Sequence, residues 1–263
     1  MIEFGPSGND EEFYAAGYKH TEQAAKYVHD KGLDCFEYSF GRGVNMGEGK
    51  AISIGEAFAR ENVEISVGYV LDSARALKRM GGKRLVFHPA AQGKMEREKA
   101  VELCEERLKR LCEYIYLNNM EDLMFCPETM GKTAQIGTVE EVTRFCKIDK
   151  VFTPCVDFGH VNAREQGSLK TEEDYAARLE YMISQLGKER MDGFHVHFSK
   201  IKYGAKGEIC HLTFDDEVYG PEFAPLAAAL KKRGLHPYIV SESAGTQSRD
   251  ALMMKNIYNS IDL

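Results

Sequence analysis

The chain has no Cys-x-x-Cys pair, although it carries seven cysteines: Cys35, Cys104, Cys112, Cys126, Cys146, Cys155 and Cys210. An odd count in apolar contexts such as Phe125-Cys126-Pro127 speaks against a disulfide framework. It points to reduced, mostly buried thiols and a cytoplasmic protein. No run approaches the ~20 apolar residues that a membrane helix needs, so no membrane partner is expected. Met1-Ile-Glu-Phe-Gly-Pro6 has neither a basic n-region nor an apolar h-region and is not expected to be a signal peptide. Positive charge is not in excess: net charge is −7 and the isoelectric point is near 5.7. Coating nucleic acid through bulk charge is thereby disfavoured, which leaves room for a local basic rim around an acidic site. No Gly-x-Gly-x-x-Gly follows the first expected strand, which argues against an open doubly wound dinucleotide fold. Linkers, low-complexity tracts and short repeats are missing too, so residues 1–263 read as one domain. One connection is also short. After Val63–Val67 the chain runs straight into Gly68–Arg75, which already looks helical, where a barrel usually spends several loop residues.

What is present is a regular alternation. The 263 residues are 43% hydrophobic and 29% charged, the balance of an ordinary globular protein. Eight β-rich runs are expected, near Ile2–Gly5, Cys35–Ser39, Val63–Val67, Arg84–Phe87, Leu123–Cys126, Phe152–Asp157, Gly193–Phe198 and Tyr238–Ser241. Amphipathic segments lie between them. In Glu96–Asn118, for example, Ala100, Leu103, Leu108, Leu111 and Ile115 recur at helical spacing. Gly32, Gly81-Gly82 and Gly234 precede strands, as glycines that close helices do. Eight strand-then-helix units without a break predict an α/β fold, a single (β/α)8 TIM barrel.

The polar residues at the strand ends carry the chemistry. His88 closes the fourth run and Glu128 the fifth. Asp157 and His160 close the sixth, His195 and His197 lie in the seventh, and Glu242 ends the eighth. In a parallel barrel these ends open on one face, so the residues converge on one pocket with the composition of a multinuclear metal centre. His195 and His197 are two apart and share a strand face. Asp157 and His160 flank a turn that Gly159 permits. His211 lies in a polar loop, Gly204–His211. Glu37 is placed to face the barrel interior. Arg42, in a Gly-flanked loop, and Lys200 are candidates for contacting an anionic substrate. His20, His29 and His236 read as surface residues.

These motifs resemble the endonuclease IV group (AP endonuclease family 2) of the xylose-isomerase-like TIM barrels. The matching pieces are Phe87-His-Pro89, Pro127-Glu-Thr-Met-Gly-Lys-Thr-Ala-Gln-Ile-Gly137, Val156-Asp-Phe-Gly-His160, His195-Val-His-Phe-Ser-Lys200, His211 and Val240-Ser-Glu242. They span about Phe87 to Glu242. The resemblance implies a zinc centre of two or three ions that hydrolyses the phosphodiester at abasic sites in DNA. It implies that His88 binds one zinc and that Glu128 bridges it to a second. Asp157, His195 and Glu242 then complete that second site, and His160 and His211 hold a third. His195 is the family-like ligand in this comparison, with His197 at an Asn position. Two departures stand out: the family's histidine-bearing loop after the third strand is missing, and the Asp expected two residues before His211 is Ile209. Asp215 or Asp216 could supply that carboxylate, and fewer metals are compatible with what remains.

The leading expectation is a monomeric, zinc-dependent phosphodiester hydrolase acting on abasic DNA, with Glu128 and Glu242 catalytic and Arg42, Lys132 and Lys200 on its rim. The alternative is a sugar isomerase or epimerase with one Mn2+ or Mg2+ on Glu128, Asp157, His195 or His197, and Glu242. Glu128 and Glu242 would then act as acid and base on a small sugar. A non-catalytic binding protein is disfavoured, because His88, Glu128, Asp157, His195 and Glu242 are all retained.

Overall fold

A computed structural model describes residues 1–39, 50, 54, 64–68 and 70–262, with only the backbone for 39 and 64–68. Eight parallel strands form the barrel: β1 (Glu3–Pro6), β2 (Cys35–Ser39), β3 (Glu64–Gly68), β4 (Arg84–Phe87), β5 (Met124–Pro127), β6 (Cys155–Asp157), β7 (His195–Phe198) and β8 (Tyr238–Ser241). They make two four-stranded halves, β2-β3-β4-β5 and β1-β8-β7-β6. Parallel bridges close the halves into a ring, Ser7 to Glu37 on one seam and Phe125 to Phe152 and Glu128 to Cys155 on the other. The single (β/α)8 barrel expected from the sequence is the fold observed.

The helices follow from local sequence signals. Thr138 caps the helix Val139–Cys146 in a reciprocal box: its hydroxyl accepts the Glu141 amide at 3.2 Å, and Glu141 accepts the Thr138 amide at 3.0 Å. Gly234 closes the helix Phe223–Arg233 in the left-handed conformation (φ 58°), which costs glycine nothing. The strand β3 runs unbroken through Val67 and Gly68, and the next helix begins only at Asp72. Gly68 is therefore strand rather than helix. Among the described residues, no helix is long and apolar enough to cross a membrane.

Alternate strand residues face the barrel axis and the rest face the helices. The outward face carries the large core, with Phe125, Phe152, Phe158, Phe194 and Phe198 fully buried. Each such side chain contributes about 1.5–3 kcal/mol through burial. Val86, Cys126 and Cys155 form a separate small cluster. One step further along the same three strands stand His88, Glu128 and Asp157. At the base, Arg84 donates to the Gly193 carbonyl at 2.7 Å and stacks 3.6 Å from the centre of the Tyr238 ring. The barrel thus has a packed floor, a soft middle layer and an acidic mouth. Of the seven cysteines, Cys210 is exposed, Cys112 is half-buried and the other five are buried, all as free thiols.

Candidate metal centre

Glu128 leads the site. It follows Pro127 at the end of β5 and is buried, yet both of its oxygens are engaged by histidines. Oε2 meets His88 Nε2 at 3.2 Å. Oε1 meets His197 Nδ1 at 3.1 Å and His160 Nδ1 at 3.4 Å. Burial alone would raise this carboxyl. The charge of His197 and hydrogen bonds from His160, His197 and His88 instead hold it well below the usual carboxylate range.

Asp157 has two jobs. Its Oδ1 accepts the His160 amide at 2.8 Å and caps the helix Phe158–Arg164. That bond fixes the side chain and aims Oδ2 at the site, where this fully buried oxygen has no hydrogen bond. Burial raises the Asp157 carboxyl even though His160 is nearby. A desolvated carboxylate oxygen that makes no hydrogen bond, with His160 Nδ1 3.4 Å away, is the kind of group a cation satisfies. Glu128, Asp157, His160 and Glu242 each offer a ligand atom within 4.8 Å of the others.

Three histidines are oriented by a second bond. His160 Nδ1 lies 2.9 Å from the Thr129 carbonyl, which leaves Nε2 facing the cavity, 3.5 Å from Glu208 Oε2. His211 Nδ1 lies 2.8 Å from Ser199 Oγ, and its Nε2 looks toward Glu242 Oε2 at 3.9 Å. His197 Nε2 lies 3.0 Å from Glu37 Oε2, so its Nδ1 faces Glu128 and, at 3.5 Å, Glu242 Oε1. A carboxylate or carbonyl behind a ligand histidine sets its tautomer and angle. Burial opposes charge on both His160 and His197. The acidic groups around them win: His160, beside Asp157 and Glu128, is raised to about 10, and His197 is held well above its usual value. Two further sets of ligand atoms also lie within 4.8 Å of one another, His160–His211–Glu242 and Glu37–His197–Glu242.

The expected convergence holds for Glu128, Asp157, His160, His197, His211 and Glu242, with His88 reaching the cluster from an exposed rim position. His195 stands apart from this set. It shares the inward face of β7 with His197 but pairs in register with Cys155 and Tyr238, one step deeper. His197, level with Asp157 and Val240, is the one that meets Glu128 and Glu242. Burial pushes His195 down to about 4, so it stands as a neutral ring.

Lys200 is a correction. Its ammonium donates to the Asp216 carbonyl at 2.7 Å and pairs with Glu222 at 2.8 Å, so it is held within the protein rather than offered to a phosphate. Asp215 and Asp216 do not replace the missing carboxylate. Asp215 pairs with Arg249, and Asp216 accepts the Val218 and Tyr219 amides. Glu208 comes closer, on the hairpin Ile201–Gly204/Gly207–His211 that the sequence presented as a loop. Arg42 lies outside the described residues, and Lys132 is exposed above β5.

Glu37 is the residue that the sequence reading undervalued. It is buried between Ser7 Oγ at 3.2 Å and the two β7 histidines, His197 at 3.0 Å and His195 at 3.4 Å. Burial raises its carboxyl, but the His197 charge and hydrogen bonds from both rings hold it far below normal. Its signal was its inward parity on β2.

Comparison with known proteins agrees with the fold. The family model described as xylose isomerase-like TIM barrel matches residues 1–257. An uncharacterized protein of Methanocaldococcus jannaschii is 30% identical over 201 residues, 76% of this chain and 71% of that one. A probable endonuclease 4 of Oceanobacillus iheyensis is 26% identical over 159 residues, 59% of this chain and 51% of that one. Among solved structures, a D-tagatose 3-epimerase-like protein superposes with a TM-score of 0.68 at 16% identity, covering 98% of this chain and 96% of that one.

Proposed function

Because the chain belongs to the xylose isomerase-like TIM barrel family, we propose that it is a metal-dependent phosphodiester hydrolase of the endonuclease IV type, acting at abasic sites in DNA. One observation carries this reading. Glu128 divides its oxygens between histidines of two different strands, Oε2 to His88 and Oε1 to His197. That is the disposition of a carboxylate that bridges ions. Around it stand Asp157, Glu242, Glu37 and His211, more donors than the four a single tetrahedral zinc takes. The residues fit a centre of two or three Zn2+, with Mn2+ as a substitute.

Bound divalent ions supply Lewis acidity and bring the pKa of water toward ~7. The chain supplies the geometry. Glu128 and Glu242 hold the centre together from two separate strands, β5 and β8. Asp157 presents one oxygen because helix capping fixes the other. Thr129, Ser199 and Glu37 lock His160, His211 and His197 so that each keeps one nitrogen free for coordination. His88, exposed beside Glu128, stands where a sugar rotated out of the duplex would enter. Phosphate contacts then fall to exposed side chains such as Lys132, since Lys200 is engaged elsewhere.

That engagement favours a second reading. With Lys200 neutralised by Glu222, the acidic mouth also suits a small neutral sugar, and Glu128, Asp157, His197 and Glu242 form a set for one Mn2+ or Mg2+ in an isomerase or epimerase. The two readings separate in one pair of assays: nicking of an abasic duplex, and exchange of a ketose C–H proton with solvent. Nicking that is lost in Glu128→Gln together with bound metal supports the hydrolase. Exchange without nicking overturns it in favour of the sugar enzyme.

A further inference from the structure

The middle layer of the barrel holds a histidine that the mouth does not use. His195 is 1% exposed; its Nε2 faces Glu37 Oε2 at 3.4 Å and its Nδ1 makes no hydrogen bond. A buried imidazole in this state leaves one ring nitrogen unsatisfied, which costs free energy unless something meets it. Beside it on β6, in register, is Cys155, fully buried with its thiol free. Cys155, His195 and His197 each offer a ligand atom within 4.8 Å of the other two. The rings of His195 and His197 lie edge to face with centroids 5.0 Å apart.

We propose that Cys155, His195 and His197 form an inner cation site, one layer below the acidic mouth, for a thiophilic ion of the Zn2+ or Cu+ class. The donor set differs in kind from the mouth. Above, carboxylates dominate and suit Zn2+, Mn2+ or Mg2+. Below, one sulfur and two imidazoles select softer ions. The Cys155 thiol gives up its proton to solvent as the ion binds, and the ion's charge replaces it. His197 faces Glu128 and Glu242 with Nδ1 and Glu37 with Nε2; in the inner site Nε2 gives its proton to solvent and trades its Glu37 hydrogen bond for the ion, so the ring joins the two layers. Glu37, against both rings, balances charge in the inner layer. A hard ion such as Mn2+ fills only the mouth.

Cobalt reports this directly. The full chain is stripped with chelator, reloaded with Co2+ and read for the near-ultraviolet thiolate-to-cobalt charge-transfer band. Wild type is expected to show the band and to bind one more Co2+ than Mn2+ per chain. Glu128→Gln, at the mouth, and Cys126→Ser, a neighbouring buried thiol, are expected to keep the band. Cys155→Ser loses it, and His195→Gln loses the extra ion while retaining the thiol. Wild type without the band overturns the proposal and makes His195 and Cys155 barrel filling. A band that persists in Cys155→Ser overturns it as well. Neither readout needs catalysis, so the inner site stands or falls separately from the proposed hydrolysis.

Discussion

Replacing Glu37 by Gln tests how the centre is oriented. The glutamate is 5% exposed and accepts from His197 Nε2 at 3.0 Å, with His195 Nε2 at 3.4 Å and Ser7 Oγ at 3.2 Å. Gln keeps the volume and one acceptor oxygen but removes the charge that fixes which His197 nitrogen carries hydrogen. Losing such a partner behind a ligand histidine typically weakens metal binding by roughly 10–100-fold, or about 1.4–2.7 kcal/mol. The assay is competition for Zn2+ against a chromophoric chelator, with far-ultraviolet circular dichroism to show that the barrel is intact. A second readout separates orientation from general damage. Glu37 also helps hold the His197 proton, so its loss reduces proton competition for the ring. The affinity gap between wild type and variant should therefore narrow as pH falls. An intact Glu37→Gln protein that binds Zn2+ as tightly as wild type refutes the orienting role.

The metal-free protein should lose stability toward alkaline pH. His160, raised from 6.5 to about 10, and His197, also raised, contribute stability that is fully present below about 6.5 and lost as pH rises through their folded values. Glu37, Glu128 and Glu242, lowered from 4.5, contribute stability that is present above about 4.5 and lost in acid. Thermal midpoints in chelator should thus peak between these limits and fall toward pH 10; a midpoint that climbs from neutral to pH 10 contradicts the arrangement. Gly207→Ala should loosen the hairpin that carries Glu208 and His211. Its φ is +86°, and an added Cβ would lie 2.0 Å from the Gly131 carbonyl oxygen. The strain costs about 1–3 kcal/mol, read as a lower thermal midpoint and weaker metal retention, and an unchanged protein would show that the hairpin does not brace the site.

The strands were legible because each is an apolar run between turn signals. β2, β4 and β8 fall at their expected limits, and β5 and β7 begin one or two residues late. Parity was legible too: a two-residue period put both His195 and His197 inward. Depth was not, because it depends on how far each strand slides past its neighbours. That is why His197 rather than His195 stands with Glu128, and why Glu37 was left at the margin. The partners of Lys200 lie 16 and 22 residues further along the chain, at Asp216 and Glu222, beyond the reach of local pattern. Glu208 was hidden by counting back from His211 to Ile209. The hairpin slips register between Lys202 and Tyr203, so the carboxylate near His160 comes from three residues before His211, and Ile209 points to solvent.

The central claim is that the mouth holds more than one ion. The most direct test is the zinc content of the Cys155→Ser protein, in which the inner thiolate is removed and the count reports the mouth alone. At saturation, measured by elemental analysis against protein concentration, at least two Zn2+ per chain are expected, with a lower count when Glu128→Gln is added. A single Zn2+ per chain in a folded Cys155→Ser protein would contradict the bridging role of Glu128 and leave the one-metal sugar enzyme as the reading to pursue.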